Sequence, residues 1–231
     1  MPTNCHARRV LFLLFLFGLT LTAVVPSTRA DSNAPDSVIV TGPLDAATHD
    51  QYFTASPVWS SGPVNDTRGI AVGDVNGDGY LDLVCGNEGT PSALYLGVRG
   101  MLSTTNAWQS SLAVVTTSVA LGDIDGDGDL DLVCGNADAV NTMYRNDDGV
   151  LTEDPVWTST QANNTQSVLL ADITGDGVLD LVCGNYAQQN VFYPGSGGTF
   201  TTTPVWSSGG AFKTQGLAVG DLNGEIGRAH V

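Results

Sequence analysis

Histidine is almost missing from this chain, with three among 231 residues, and Lys plus Arg number only eight. His6 falls in the leader described below, His230 is next to last, and only His49 lies between them. A Ser-His-Asp or Cys-His catalytic arrangement therefore has no base to draw on, and the expectation is a protein that is not an enzyme. The formal charge is −16 at pH 7. Phosphate recognition needs clustered cations, so nucleic acid is excluded as a partner. Sustained 3.6-residue apolar periodicity is also lacking outside the N-terminal region, which predicts an almost helix-free fold.

Long apolar runs are equally scarce. The one present, Val10 to Val25, follows Arg8 and Arg9 and is shorter than the ~20 residues a membrane-spanning helix needs. Together with the small residues of Thr28-Arg29-Ala30, this is the layout of a signal peptide cut after Ala30. Residues 1–30 are thus expected to be a leader, and 31–50, rich in Ala, Ser, Pro and Asp, a linker. The expected location is secreted or extracellular, with attachment to the cell surface only through a further C-terminal region and no membrane span in this segment. Asn65 and Asn163 each open an N-x-T sequon and are glycosylation candidates in that compartment.

What is present in abundance is a repeat. Asp74, Asp123, Asp172 and Asp221 stand 49 residues apart, as do Trp59, Trp108, Trp157 and Trp206. Tyr95, Tyr144 and Tyr193 keep the same interval, as do Cys85, Cys134 and Cys183. A period free of insertions means one structural unit stacked on its like. Within a period, four short apolar runs (69–75, 82–87, 93–97 and 105–110 in the first) are bounded by Gly, Asn, Asp or Pro. Four strands per ~40–50 residues is the arithmetic of a β-propeller blade. The fold class read from this is all-β: four-stranded antiparallel propeller blades in an incomplete ring.

Residues 51–224 hold this region: an outer strand at 51–62 belonging to a preceding blade or closing the ring, repeats of about 67–115, 116–164 and 165–213, and a partial repeat at 214–224. The three repeat cysteines are expected to be free and buried, because stacked sheets lie ~10 Å apart and a disulfide needs Cα atoms within ~7 Å. The repeated Trp is expected to anchor the outer strand between blades rather than stack a sugar.

Each repeat carries an acidic loop. In Asp74-Val-Asn76-Gly-Asp78-Gly-Tyr80-Leu-Asp82, oxygen side chains stand at loop positions 1, 3, 5 and 9, with the Tyr80 carbonyl at position 7. The second loop offers Asp123, Asp125, Asp127 and Asp131, with Asp129 at the carbonyl position. The third offers Asp172, Thr174, Asp176 and Asp180, with the carbonyl of Val178. A fourth begins with Asp221 and Asn223. Hard oxygen ligands in that number suit Ca²⁺, so calcium is the expected cofactor. Carboxylates packed so closely would otherwise repel one another, which disfavours plain Asp-Gly turns. An EF-hand needs a Glu at position 12 and flanking helices. Position 12 here is a cysteine and the flanks are strands.

The segments GDVNGDGYLDLVCGN, GDIDGDGDLDLVCGN and ADITGDGVLDLVCGN, with the later NTMYRNDDGVLT, resemble the FG-GAP and VCBS repeats of integrin-α-like propellers. The resemblance implies that the calcium loop joins the first two strands of each blade and that the complete ring has seven blades. It also implies the ligand set just named, with Thr174 and the interrupted fourth loop as departures. The tail 225–231 begins where the family would have Asp-Gly and resembles translated adapter sequence, so a C-terminally truncated fragment is expected. Function is then expected to be calcium-supported, non-enzymatic binding or adhesion to an extracellular protein or glycan. A propeller of a carbohydrate-active enzyme or lectin, and a structural coat or stalk component, are the alternatives, since fold alone does not choose among them.

Overall fold

The computed structural model describes residues 57, 59–63 and 65–220, together with Val24–Val25 and Val38–Ile39, which form a two-residue antiparallel pair. The expectations for the leader, the linker, most of the 51–62 strand, Asp221, Asn223 and the 225–231 tail otherwise lie outside the described residues.

Three blades follow one another. In blade one, Thr67–Gly73, Asp82–Asn87, Ala93–Tyr95 and Trp108–Gln109 pair antiparallel in that order. Blade two repeats it with Thr116–Gly122, Asp131–Asn136, Ala139–Tyr144 and Trp157–Asn163. Blade three uses Thr165–Ala171, Asp180–Gln188, Val191–Tyr193 and Trp206–Ser207, and Phe212–Lys213 adds to the far end of its long second strand. No helix occurs among the described residues. First strands of successive blades lie against one another, so the first strand of each sheet is innermost and the Trp strand outermost. The four strand runs read from the sequence therefore become one sheet per period, and the sheets do not close into a ring within this segment.

The core lies between blades rather than within them, because a sheet with two apolar faces must bury both. Val84, Leu94 and Trp108 of blade one meet Leu132, Cys134 and Tyr144 of blade two. One period on, Val133, Met143 and Trp157 meet Leu181, Cys183 and Tyr193. Three of the four repeated tryptophans stand edge-on to the Tyr one repeat on: Trp59 on Tyr95, Trp108 on Tyr144 and Trp157 on Tyr193, with centroids 5.3, 5.1 and 5.5 Å apart. Trp59 thus packs on Tyr95 as Trp108 and Trp157 pack on Tyr144 and Tyr193, although residues 59–61 pair with no strand. Where no neighbouring blade is described, the same positions are bare. Ile70 is 64% exposed against 9% for its counterpart Val119, and Trp206 is 55% exposed against 4% for Trp157.

Repeated polar residues are also structural. Thr67, Thr116 and Thr165 donate to the side-chain carbonyls of Asn87, Asn136 and Asn185, each at 2.8 Å. Cys85, Cys134 and Cys183 are buried and free, and burial pushes the Cys134 and Cys183 thiols up to about 12. Gly135 stands where a Cβ would come within 2.6 Å of Val168 of the next blade, which explains a glycine after the cysteine.

Candidate metal centre and interblade contacts

Each acidic loop joins the first strand of its blade to the second. Its first aspartate organises the turn by accepting backbone N–H groups. Asp74 receives those of Asp78 and Gly79 at 3.0 and 2.8 Å, Asp123 those of Gly126 and Gly128 at 2.7 and 3.1 Å, and Asp172 those of Gly175 and Gly177 at 2.7 and 3.0 Å. The position-5 aspartate accepts the N–H of position 7: Tyr80 to Asp78, Asp129 to Asp127 and Val178 to Asp176, each at 2.9 Å. Gly77, Gly126 and Gly175 lie at φ of 71, 82 and 76°, which turns the chain back on itself.

The last aspartate of each loop is wholly buried and bridges two elements. Asp82 accepts the N–H of Val75 at 2.8 Å on one oxygen and of Gly97 at 2.7 Å on the other. Asp131 does the same with Ile124 at 2.9 Å and Asn146 at 2.8 Å, and Asp180 with Ile173 at 2.8 Å and Gly195 at 2.9 Å. In loop two, Asp123, Asp125 and Asp127 bring one carboxylate oxygen each to within 4.8 Å of one another, and Asp131 is not part of that group. Burial raises the Asp131 carboxyl above its ordinary range. N–H bonds from Asn146 and Ile124 oppose this, and the Asp125 and Asp127 carboxylates push it up again. In loop one Asn76 takes the place of Asp125, and its side-chain amide donates to Asp78 at 3.1 Å. Thr174 holds that place in loop three, where its own N–H donates to Asp180 at 2.9 Å.

Gly97, Asn146 and Gly195 open small hairpins that the sequence reading missed. They are Gly97–Val98 with Met101–Leu102, Asn146–Asp147 with Val150–Leu151, and Gly195–Ser196 with Thr199–Phe200. Their two-residue turns, Arg99-Gly100, Asp148-Gly149 and Gly197-Gly198, have positive φ at both residues, as tight hairpins require. The signal was there in Asp-Gly and Gly-Gly dipeptides at the 49-residue interval. The second and third hairpins also reach the previous blade's acidic loop. A Cβ on Gly149 would lie 3.0 Å from the Asn76 backbone, and one on Gly198 would lie 2.7 Å from the Asp125 side chain. Arg145, just before the second hairpin, places its Nε 3.2 Å from Asp125 Oδ2.

The glycosylation candidates Asn65 and Asn163 are both half-buried, and Asn163 ends the outer strand of blade two. Asn65 accepts from the Thr90 hydroxyl at 3.4 Å. Among the described residues no helix is long and apolar enough to cross a membrane.

Comparison with known proteins matches this geometry. No curated protein matches the chain. Among solved structures, BBS1N in complex with ARL6DN, soaked with lead, superposes with a TM-score of 0.50 at 15% identity, over 70% of this chain and 49% of that one. The same complex soaked with mercury gives 0.49 at 16% identity, over 67% and 48%. The chain therefore spans about half the length of these structures, and the first supports the fold alone. A family model, the FG-GAP-like repeat, matches residues 74–134, 123–183 and 172–225, three copies in the 49-residue register of the acidic loops. The chain belongs to the FG-GAP-like repeat family and presents its repeats as β-propeller blades.

Proposed function

We propose that this chain is a calcium-supported, non-enzymatic binding module of a secreted or cell-surface protein, with an extracellular protein or glycan as partner. The observation that carries the reading is the convergence of Asp123, Asp125 and Asp127 in loop two. Three carboxylates at that spacing repel one another. A divalent cation would relieve that repulsion, and oxygen-only donors suit calcium. In loop two Asp123, Asp125 and Asp127 would hold the ion, with the Asp129 carbonyl. Asp131 accepts two N–H bonds and keeps further lone pairs, so it can join the ligands without giving up its bracing role. Asp74, Asn76, Asp78 and Asp82 with the Tyr80 carbonyl form the matching set in loop one, as do Asp172, Thr174, Asp176 and Asp180 with the Val178 carbonyl in loop three.

When bound, the ion cross-links the turn to the buried strands below it. Its contribution is structural, since carboxylates neutralised by a metal are poor proton donors and acceptors. The leader-like N-terminus and the two sequons support an extracellular setting, where calcium is abundant. Titration calorimetry with calcium chloride, followed by protein and glycan arrays with and without chelator, tests the reading. Calcium uptake and chelator-sensitive binding are expected. Absence of calcium uptake, or hydrolysis of an array glycan, would overturn it.

A further inference from the structure

Arg145 occupies a place that the repeat fills differently elsewhere. Its counterparts at the 49-residue interval are Leu96 and Pro194. Loop position 3 differs in the same blade, being Asp125 in loop two but Asn76 and Thr174 in the others. The extra carboxylate and the extra cation thus occur together, and the fold brings them into contact. Arg145 Nε lies 3.2 Å from Asp125 Oδ2, with side chains 35% and 18% exposed. Among the described residues no other Lys or Arg pairs with a loop carboxylate.

The contact is ionic rather than directional. Arg145 Nε is buried, and despite its closeness to Asp125 it makes no well-formed hydrogen bond. The far end of the guanidinium reaches only the Gly198 carbonyl of blade three, at 3.5 Å. Gly198 itself is packed on Asp125, so the carboxylate is confined between its own loop and the next blade's hairpin. A cation held by loop two must draw on Asp125 and would sit close to a fixed positive charge.

On the reading of the loops as calcium sites, we infer that Arg145 is a built-in competitor for the loop-two cation and sets its affinity. It neutralises Asp125 when the ion is absent and weakens the site when the ion binds. Carboxylate number alone would make loop two much the tightest of the three. Arg145 brings it toward the millimolar range of extracellular calcium, where occupancy can respond to concentration.

The test uses the chain with Asp78→Ala and Asp176→Ala, which silence loops one and three, and the otherwise unaltered chain beside it. Arg145→Leu, the residue blade one carries here, and the milder Arg145→Gln are titrated with calcium chloride at fixed ionic strength. Both should tighten loop-two binding by roughly three- to thirtyfold, Leu and Gln alike, because the lost interaction is a half-exposed ion pair plus cation–cation repulsion. Both should also lower the melting temperature in chelator, where Asp125 is left without its counter-charge, and recover it with calcium. Unchanged or weaker calcium binding in both variants overturns the inference while leaving the loops as calcium sites. Absence of calcium binding in every protein overturns the inference together with the reading it rests on.

Discussion

The side-chain amide of Asn146, in the hairpin of blade two, donates to the main-chain carbonyl of Val75 in the acidic loop of blade one at 2.7 Å. It also reaches the Leu130 carbonyl of its own loop at 3.1 Å, while its N–H donates to Asp131. One residue thus ties two successive acidic loops together. Asn146→Ala leaves both carbonyls in a buried place without their donor, which costs about 1–3 kcal/mol. Urea denaturation should show that loss, whereas Asp147→Ala, an exposed neighbour, should stay within about 0.5 kcal/mol of the parent.

Tryptophans at one repeat position should differ sharply in worth. Trp108 is 8% exposed, stands on Tyr144 and donates its indole N–H to Thr152 at 2.9 Å. Trp108→Ala should cost about 3–5 kcal/mol by cavity formation and loss of that bond. Trp206, 55% exposed, should cost below about 1 kcal/mol on the same change. Equal losses in chemical denaturation would contradict the interblade role assigned to the ring.

High pH should unfold the protein within a definite window. Desolvation pushes the Tyr144 and Tyr193 phenols up to about 12, with the Cys134 and Cys183 sulfurs adding to it, and those thiols are themselves pushed up to about 12. A group whose folded pKa exceeds its unfolded one binds its proton more tightly in the fold. Its contribution is complete below the ordinary values of 9.0 for the thiols and 10.0 for the phenols, and is lost as pH rises toward about 12. Melting temperatures should fall steadily across that interval, and Tyr144→Phe should soften the slope. A flat profile to pH 12 would contradict the burial of these groups.

The residues that repeat made most of this legible in advance. Equal spacing of Asp, Trp, Tyr and Cys gave the repeating unit, and the four short apolar runs within a period gave its strands, because each position faces the same neighbour one period on. The interblade place of Trp108 and Trp157 and the free cysteines were expected in the same way, whereas the pairing of each of those rings with the next blade's Tyr was not. The hairpins did not, since their two-residue strands are too short to show an apolar alternation. Asn146 and Arg145 were invisible for a different reason: each matters through a contact with the neighbouring blade or with its own acidic loop, and neither recurs at the 49-residue interval. The bracing of Asp82, Asp131 and Asp180 by N–H groups from those hairpins was hidden with them.

Calcium should not bind the three loops alike. Loop two offers four side-chain carboxylates, loop one three and the Asn76 amide oxygen, loop three three and the shorter Thr174 hydroxyl. Affinity rises with ligand charge, so the order is loop two, loop one, loop three, with the first margin narrowed by Arg145. Asp127→Ala should therefore remove more calcium-dependent stability than Asp176→Ala. The most direct measurement is the melting temperature of the chain in about 10 mM calcium and again in excess chelator. Extracellular sites near ~10⁻⁴–10⁻³ M imply a rise of roughly 3–10 °C with calcium, reversed by the chelator and reduced most by Asp127→Ala. Equal losses from the two substitutions would contradict the order of the loops, and identical melting temperatures in the two buffers would mean that the acidic loops are ordinary turns.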